Sequence, residues 1–288
     1  MDNSINLDLH IHSVVSDGSD TPSEILALVK NKGLDLFALT DHDAIKGCAQ
    51  IRESWKIGDP HFLNGVEFSC RDEEGKYHIL GYGYDPEEDS VNRVVEEGHS
   101  YRMHKVIARL DFLRTEYAIT FPQEEIDELM ALDNPGKPHI GNLMVKYGYA
   151  ANKEEAIRDY IDNIKFKSEY VRPEEAIEGI RNAGGIAVLA HPSYGDGSQI
   201  IVGSQMEERL QRLLEMGIQG LEAYYSGFTP KLTAEILGLA DQCGLYVTAG
   251  SDYHGTNKLI PLGDTNLDEA DEIAPGLERF LQDVTITL

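Results

Sequence analysis

Short apolar runs rich in Ile, Leu and Val alternate along the chain with segments whose apolar residues recur at helical spacing. Strands are predicted at 5–9, 34–40, 61–66, 77–82, 186–190, 218–223 and 245–249, and helices at 22–32, 173–182, 206–216 and 230–243. This alternation is typical of parallel βα units whose sheet is covered by helices. Seven parallel strands separated by helices predict an α/β fold with a closed or nearly closed TIM-like barrel.

The alternation stops between residues 86 and 170, where the pattern predicts helices and no strand. These helices are expected at 91–116, 123–131, 140–147 and 153–161. We therefore interpret residues 1–85 and 171–288 as two parts of one barrel domain. Residues 86–170 are interpreted as a helical insertion domain that caps the substrate.

The composition excludes several classes of function. Fifty Asp and Glu stand against 25 Lys and Arg in 288 residues, a formal net charge of −25, so the surface is unsuited to grip duplex DNA or an anionic membrane. No apolar run approaches the roughly 18 residues of a membrane span, and the first residues lack the pattern of a secretion signal. A cytoplasmic protein is therefore expected. Its three cysteines show no CxxC spacing that would indicate a disulfide framework or a zinc knuckle.

Histidine and acidic residues fall where the predicted strands end. The first strand ends in the sequence DLHIH, whose histidines, His10 and His12, project to the same side of an extended chain and can share one metal ion. The later strands begin or end in the motifs TDHD, GVEFS, HILGY, AHP, GLEAYY and SDYH. Barrel active sites form at the carboxyl ends of the strands, so these side chains are expected to converge. His61, His99 and His104 lie outside the pattern and are expected to be exposed or packing residues.

In this order, and with SDG at 16–18 after the histidine pair, the motifs resemble the polymerase and histidinol phosphatase (PHP) family of metal-dependent phosphoesterases. The resemblance covers roughly residues 5–84 and 171–265, and it implies a distorted (β/α)7 barrel with two to three divalent metal ions. It implies a first metal position on His10, His12, Glu67 and Asp252, a second on Glu67, His78 and His191, and a third on Asp17, His42 and His254. Mixed imidazole and carboxylate ligands suit Mn, Fe or Zn better than Mg. Asp41 and Glu222 are expected to orient the ligands, since metal-bound imidazoles commonly donate their second N–H to a carboxylate.

The insertion carries a second resemblance, to the branch of the family that removes phosphate from 3′,5′-nucleotide bisphosphates and trims RNA from its 5′ end. It rests on Arg102 in the first insertion helix and on the Gly-Lys-Pro-His segment at 136–139. It implies that Arg102, Lys137 and His139 bind substrate. Arg102, Lys105 and Arg109 recur at spacings of three and four along one helix face. Either this face is simply exposed to solvent, or Arg102 on it binds a second phosphate of the substrate.

These features predict an enzyme, a metal-dependent phosphomonoesterase in which a metal-bridging hydroxide attacks phosphorus. The nine predicted ligands are also its expected catalytic residues. The expected substrate is a small nucleotide phosphate, and short single-stranded RNA extends the same chemistry; the chain is expected to act as a monomer or a small homo-oligomer. Two alternatives stay open, a small-molecule phosphatase similar to histidinol phosphatase and a catalytically idle metal-binding PHP module that binds a partner protein. The long insertion argues against the first, and the intact ligand set argues against the second.

Overall fold

The computed structural model describes residues 5–165, 169–195, 200–267 and 272–288. In these ranges seven strands form one sheet whose order follows the chain. They are β1 (Leu7–Asp8), β2 (Leu36–Leu39), β3 (His61–Arg71), β4 (Lys76–Tyr82), β5 (Ile186–Leu189), β6 (Gly220–Tyr225) and β7 (Tyr246–Gly250). The Leu9 N–H donates to the Ala249 carbonyl oxygen at 2.9 Å, which joins the first strand to the last. The predicted α/β barrel is thereby confirmed.

Strand β4 runs antiparallel to both of its neighbours, whereas the other adjacent strands pair in parallel. The prediction of seven parallel strands is therefore wrong at β4. Parallel neighbours need a crossover of about a dozen residues or more, and only residues 72–75 separate β3 from β4. As a result the amino end of β4 lies beside the carboxyl end of β3, where His78 pairs with Ser69.

The helices of the described ranges are α1 (Pro22–Lys32), α2 (Lys46–Ser54), α3 (Asp89–Tyr117), α4 (Gln123–Met130), α5 (Lys137–Lys146), α6 (Lys153–Asp159), α7 (Pro173–Asn182), α8 (Ser204–Met216), α9 (Pro230–Gln242) and α10 (Pro275–Asp283). Helix α1 begins at a capping box, in which Thr21 and Glu24 each accept from the other's backbone N–H. Helices α2 and α10 were not predicted from the sequence. Within the described ranges, none of the helices combines the length and the apolar character that a bilayer crossing needs.

The helices expected between residues 86 and 170 are present as α3 to α6, and they enclose a core of their own. Its buried residues are Val106, Leu113, Ile119, Leu129, Ile140, Met144, Ala156 and Ile161. The first half of α3 belongs instead to the barrel core, through Val91 and Val94. Lys153 of α6 donates to Asn257 Oδ1 at 3.3 Å, in a 3-10 turn that follows β7. The insertion therefore contacts the end of the barrel at which the parallel strands finish.

Candidate metal centre

The two histidines that follow β1 converge on one point. In this extended stretch, alternation places Asp8, His10 and His12 on the same side of the chain, and both histidines are fully buried. Their Nε2 atoms lie 3.1 Å apart. His10 Nδ1 lies 2.9 Å from Glu222 Oε1. When this ring donates its Nδ1–H to that carboxylate, its Nε2 lone pair is free for a metal ion.

Glu67 of β3 lies at the centre of the cluster and is 1% exposed. Five imidazole nitrogens surround its two oxygens: Oε2 faces His10 (3.3 Å), His12 (3.1 Å) and His42 (3.1 Å), and Oε1 faces His78 (2.9 Å) and His191 (3.3 Å). Both oxygens are buried, and among the described residues neither has a hydrogen-bond partner of acceptable geometry. A buried carboxylate in that condition requires a cation to compensate its charge.

Asp17 and His254 form a second acidic and imidazole pair beside this centre. Asp17 Oδ1 lies 3.2 Å from His254 Nε2 and 3.7 Å from His12 Nδ1. Asp17 Oδ2 lies 4.0 Å from His42 Nε2. The rings of His12 and His42 therefore present one nitrogen to Glu67 and the other to Asp17. His12 and His42 thus lie between metal positions that the resemblance to the family treats as separate.

Asp252 completes the cluster from the loop after β7. Its Oδ1 lies 3.6 Å from His10 Nε2 and 3.4 Å from His12 Nε2. Its Oδ2 accepts from Lys258 Nζ at 2.7 Å and from the Tyr225 hydroxyl at 3.0 Å. Hydrogen bonds thus fix Oδ2, whereas Oδ1 faces His10 and His12.

Three site residues have left-handed backbones, with φ of 49° at Asp43, 26° at His191 and 62° at Asp252. Such values are rare outside glycine and cost about 1–3 kcal/mol each. The cluster itself holds the three backbone N–H groups, which donate to Glu67 O (2.9 Å), Glu222 Oε2 (2.8 Å) and His10 O (2.9 Å) respectively. Two backbone carbonyls of ligand residues and the Glu222 carboxylate therefore hold the strained turns in place.

The donor set fits divalent metal ions. Metal–ligand bonds of about 2.0–2.2 Å imply distances of roughly 3.0–3.5 Å between neighbouring ligand atoms. Four of the five distances around Glu67 lie in that range, and the fifth, to His78, is 2.9 Å. Three groups have ligand atoms within 4.8 Å of one another: His10, His12 and Glu67; His42, Glu67 and His78; and His12, Asp17, His42 and His254. All nine predicted ligands thus lie in one cluster, although the groups share members differently from the expected sets.

The charges in the cluster shift the protonation of its members. Burial opposes the ionised form of Glu67, but the surrounding imidazoles, His42 foremost, outweigh it and hold the Glu67 pKa well below its usual range. Burial also opposes the charged form of His12, yet the nearby carboxylates of Asp252 and Glu67 raise the His12 pKa to about 9. Burial holds the pKa of His42 well below its usual value. Metal binding must therefore displace protons from part of the imidazole set.

The two predicted orienting carboxylates take different positions. Glu222 contacts His10 directly, as described above. Asp41 does not contact its neighbour His42; it accepts from Ser13 N (2.8 Å), Ser13 Oγ (2.8 Å) and Ser16 Oγ (2.6 Å). Because Ser16 Oγ lies 3.4 Å from His12 Nδ1, Asp41 reaches a ligand only through this serine. That Asp41 orients a metal ligand stays a prediction, and Ser16 is the residue through which it would act.

Arg102 lies at the edge of the cluster. Its Nε donates to Asp43 Oδ2 at 2.9 Å, and its Nη2 donates to Ser69 Oγ at 3.0 Å. Ser69 Oγ lies 3.5 Å from His42 Nδ1. A Cβ on Gly98, one turn before Arg102, would lie 2.9 Å from Asp43 Cβ, so glycine lets α3 approach this edge closely.

The segment at the start of α5 adjoins Arg102. Arg102 Nη1 lies 3.7 Å from the position that a Cβ on Gly136 would take, and the Gly136 N–H donates to His139 Nδ1 at 3.0 Å. Lys137 is oriented differently, since its ammonium pairs with Asp162 and its side chain is 39% exposed. Arg102 and His139 therefore both adjoin Gly136, whereas the Lys137 ammonium lies on an acidic partner in the insertion.

Four residues of the site were not singled out from the sequence. Asp8 is fully buried and accepts from Ser251 N, Ser251 Oγ and Gly263 N, and its position two residues before His10 was the available signal. Asp43 likewise follows His42 in the TDHD motif. Ser69 ends the GVEFS motif, two residues after Glu67. Lys258 carried no comparable signal, because a tertiary contact alone brings it to the cluster.

A barrel whose strand ends gather imidazoles and carboxylates around a buried glutamate defines a metal-dependent hydrolase. The chain belongs to the PHP domain family, whose model matches residues 8–221. It is accordingly a metal-dependent phosphoesterase, and both the expected family and the expected class of enzyme are confirmed.

Named relatives cover nearly the whole chain. A 3′,5′-nucleoside bisphosphate phosphatase of Chromobacterium violaceum is 30% identical over 258 residues, which span 86% of this chain and 87% of that protein. A 5′-3′ exoribonuclease of Haemophilus influenzae is 28% identical over 276 residues, which span 95% of this chain and 98% of that protein. Among solved structures, a protein of Bifidobacterium adolescentis described as a metal-dependent phosphoesterase superposes with a TM-score of 0.78 at 27% identity, covering 90% of this chain and 91% of that one.

Proposed function

We propose that the protein removes a phosphate from 3′,5′-nucleotide bisphosphates and, by the same hydrolysis of a phosphate ester, releases nucleotides from the 5′ ends of short single-stranded RNA. The observation that carries this proposal is the position of Arg102. Its guanidinium donates to Ser69 Oγ, and that oxygen lies 3.5 Å from Nδ1 of His42 in the cluster. A cation at that edge suits a substrate with a second phosphate. Similarity to relatives named for these two activities supports the same choice.

The metal positions are part of the proposal. His10, His12, Glu67 and Asp252 hold one ion, Glu67, His78 and His191 hold a second, and Asp17, His42 and His254 hold a third. Divalent ions in such a site neutralise phosphoryl oxygens and make water a stronger nucleophile toward phosphorus. The three carboxylates contribute −3 and three divalent ions +6, so the site would carry a charge of about +3. This local charge explains how an acidic protein can bind a phosphate ester.

The residues of the insertion supply the second phosphate contact. Arg102 has its Nε on Asp43 and its Nη2 on Ser69, and its Nη1 faces the start of α5. Burial lowers the pKa of His139, so this ring is neutral at neutral pH and contacts the substrate by hydrogen bonding. Lys137 must break its ion pair with Asp162 before it can bind the substrate. The contact with the second phosphate is therefore assigned first to Arg102 and His139.

Two alternative functions predict different results with the same set of phosphate esters. A small-molecule phosphatase similar to histidinol phosphatase would hydrolyse histidinol phosphate without any need for Arg102. An idle module would bind metal and hydrolyse none of these esters. One experiment decides between them: the manganese-loaded protein is assayed for phosphate release from adenosine 3′,5′-bisphosphate and histidinol phosphate, and for mononucleotide release from a 5′-phosphorylated short RNA.

The decisive variant is Arg102→Ala, assayed on the bisphosphate and on a monophosphate ester. A charge-assisted contact is worth about 1.5–3 kcal/mol, so kcat/KM for the bisphosphate is expected to fall roughly 10- to 150-fold. The monophosphate should be almost unaffected. Lys137→Ala serves as the comparison, and the manganese content of each variant is measured first, because Arg102 also holds Asp43. Equal losses on both substrates would reject the substrate class, and turnover by the chelated wild-type protein would reject the metal chemistry.

A further inference from the structure

Three cations on one face of α3 pack against the protein, one of them buried and two half-buried, contrary to the interpretation of that face as simply solvated. Lys105 is 8% exposed, and Arg102 and Arg109 are both half-buried. By contrast, Arg114 on the same helix is 61% exposed and pairs with Asp111. The face formed by Arg102, Lys105 and Arg109 is named here the α3 track.

Two members of the α3 track have no acidic partner among the described residues. Arg109 Nε is buried without a hydrogen-bond acceptor. Lys105 Nζ lies 3.3 Å from the centre of the Tyr170 ring, a cation–π contact that does not neutralise its charge. Burial and the neighbouring guanidinium of Arg102 lower the pKa of Lys105 to about 7. In a chain with twice as many acidic as basic residues, buried cations left unpaired indicate a site that an anionic ligand completes.

The α3 track leads away from the metal centre. Arg102 contacts Ser69 and Asp43 at the edge of the cluster. Lys105 and Arg109 follow at intervals of three and four residues, which places them about 4.5 and 10.5 Å further along the helix axis. A ligand that contacts both arginines must therefore carry negative charges spread over a distance of this order.

We propose that the α3 track binds phosphates of a single-stranded RNA that lie beyond the 5′ nucleotide held at the metal centre. The inference rests on the proposed function and extends it from bisphosphates to oligonucleotides. Arg102 serves the phosphate nearest the cluster, Arg109 serves a phosphate further along the chain, and the Lys105 charge makes the potential between them more positive. A nucleotide bisphosphate is too short to reach Arg109.

The test compares Arg109→Gln with the matched variant Arg114→Gln. Each is assayed in the manganese-loaded full chain on adenosine 3′,5′-bisphosphate and on a 5′-phosphorylated tetrauridylate. Arg109→Gln is expected to lower kcat/KM for the RNA about 10- to 100-fold and to leave the bisphosphate unchanged within about twofold. The activity of Arg109→Gln on the RNA should also depend less on salt than that of the wild type. The slope of log(kcat/KM) against log[salt] is expected to be smaller in magnitude by about 0.7. Arg114→Gln should change neither substrate.

A binding measurement separates this inference from the proposed function. Fluorescence anisotropy of a labelled 5′-phosphorylated tetrauridylate is recorded with chelated protein, so that no turnover is needed. Weaker RNA binding by Arg109→Gln but not by Arg114→Gln supports the α3 track even if the loaded enzyme releases no phosphate, which would reject the proposed function alone. Equal binding by both variants, or equal kinetic losses on both substrates, overturns the α3 track whatever the activity of the wild type.

Discussion

Replacing Lys105 with Met is expected to stabilise the ligand-free protein at neutral pH, and the gain should shrink as the pH rises toward 10. Lys105 is buried in α3 without an acidic partner among the described residues. The charged and titratable groups that face it are Arg102, Arg109, Asp43, Lys76 and Tyr170. Methionine keeps the length and apolar character of the side chain and removes its charge.

The magnitude follows from the difference in pKa between the folded and unfolded chains. Burial lowers the pKa of Lys105 from an ordinary value of 10.5 to about 7, and a difference of one pKa unit is about 1.4 kcal/mol. The charge therefore costs on the order of 5 kcal/mol at pH 7. The Tyr170 ring, 3.3 Å from Nζ, offsets about 1–2 kcal/mol of this cost. A net gain of roughly 3 kcal/mol is expected for Lys105→Met.

The sign of the pH dependence is specific. Below pH 7 the lysine is protonated in both states, and the full cost applies. Between pH 7 and about 10.4 the unfolded chain binds the proton and the folded chain does not, so the stability of the wild type rises with pH by up to about 1.4 kcal/mol per unit. Urea unfolding of both proteins at pH 7, 8.5 and 10 measures the difference, in which all shared titrating groups cancel. A difference that stays constant over this range would refute the reasoning.

Two further substitutions test the site and the fold separately. Glu222→Gln removes the carboxylate 2.9 Å from His10 Nδ1 and is expected to lower manganese affinity about 10- to 100-fold, measured by titration with a metal indicator; unchanged affinity would mean that His10 needs no orienting carboxylate. Thr21→Ala removes the hydroxyl that caps α1 and should cost about 1 kcal/mol of stability while kcat/KM on the bisphosphate stays the same, because the capping box lies outside the metal cluster. Loss of activity without loss of stability would contradict the second prediction.

Local patterns were sufficient to predict the barrel and most of its elements. The capping box at Thr21 and the apolar runs of the strands depend on neighbours within a few residues, so they are readable without a structure. The pairing of His10 with His12 is equally local, because a two-residue period puts both on one side of an extended chain. The convergence of the other candidate ligands was expected from a general property of barrels, the position of their strand ends.

What only the tertiary structure decided concerns partners distant in sequence. The direction of β4 depends on a turn of four residues that leaves no room for a crossover, and that direction brings His78 to the cluster. The contact of Asp41 with Ser13 and Ser16, in place of His42, depends on how two strand-end loops meet. The burial of Lys105 under Tyr170 depends on packing between segments 65 residues apart. Spacing along a helix shows that the three cations of α3 share a face. Whether that face meets water or protein depends on the surrounding chain, because burial is a property of the neighbours and not of the residue itself.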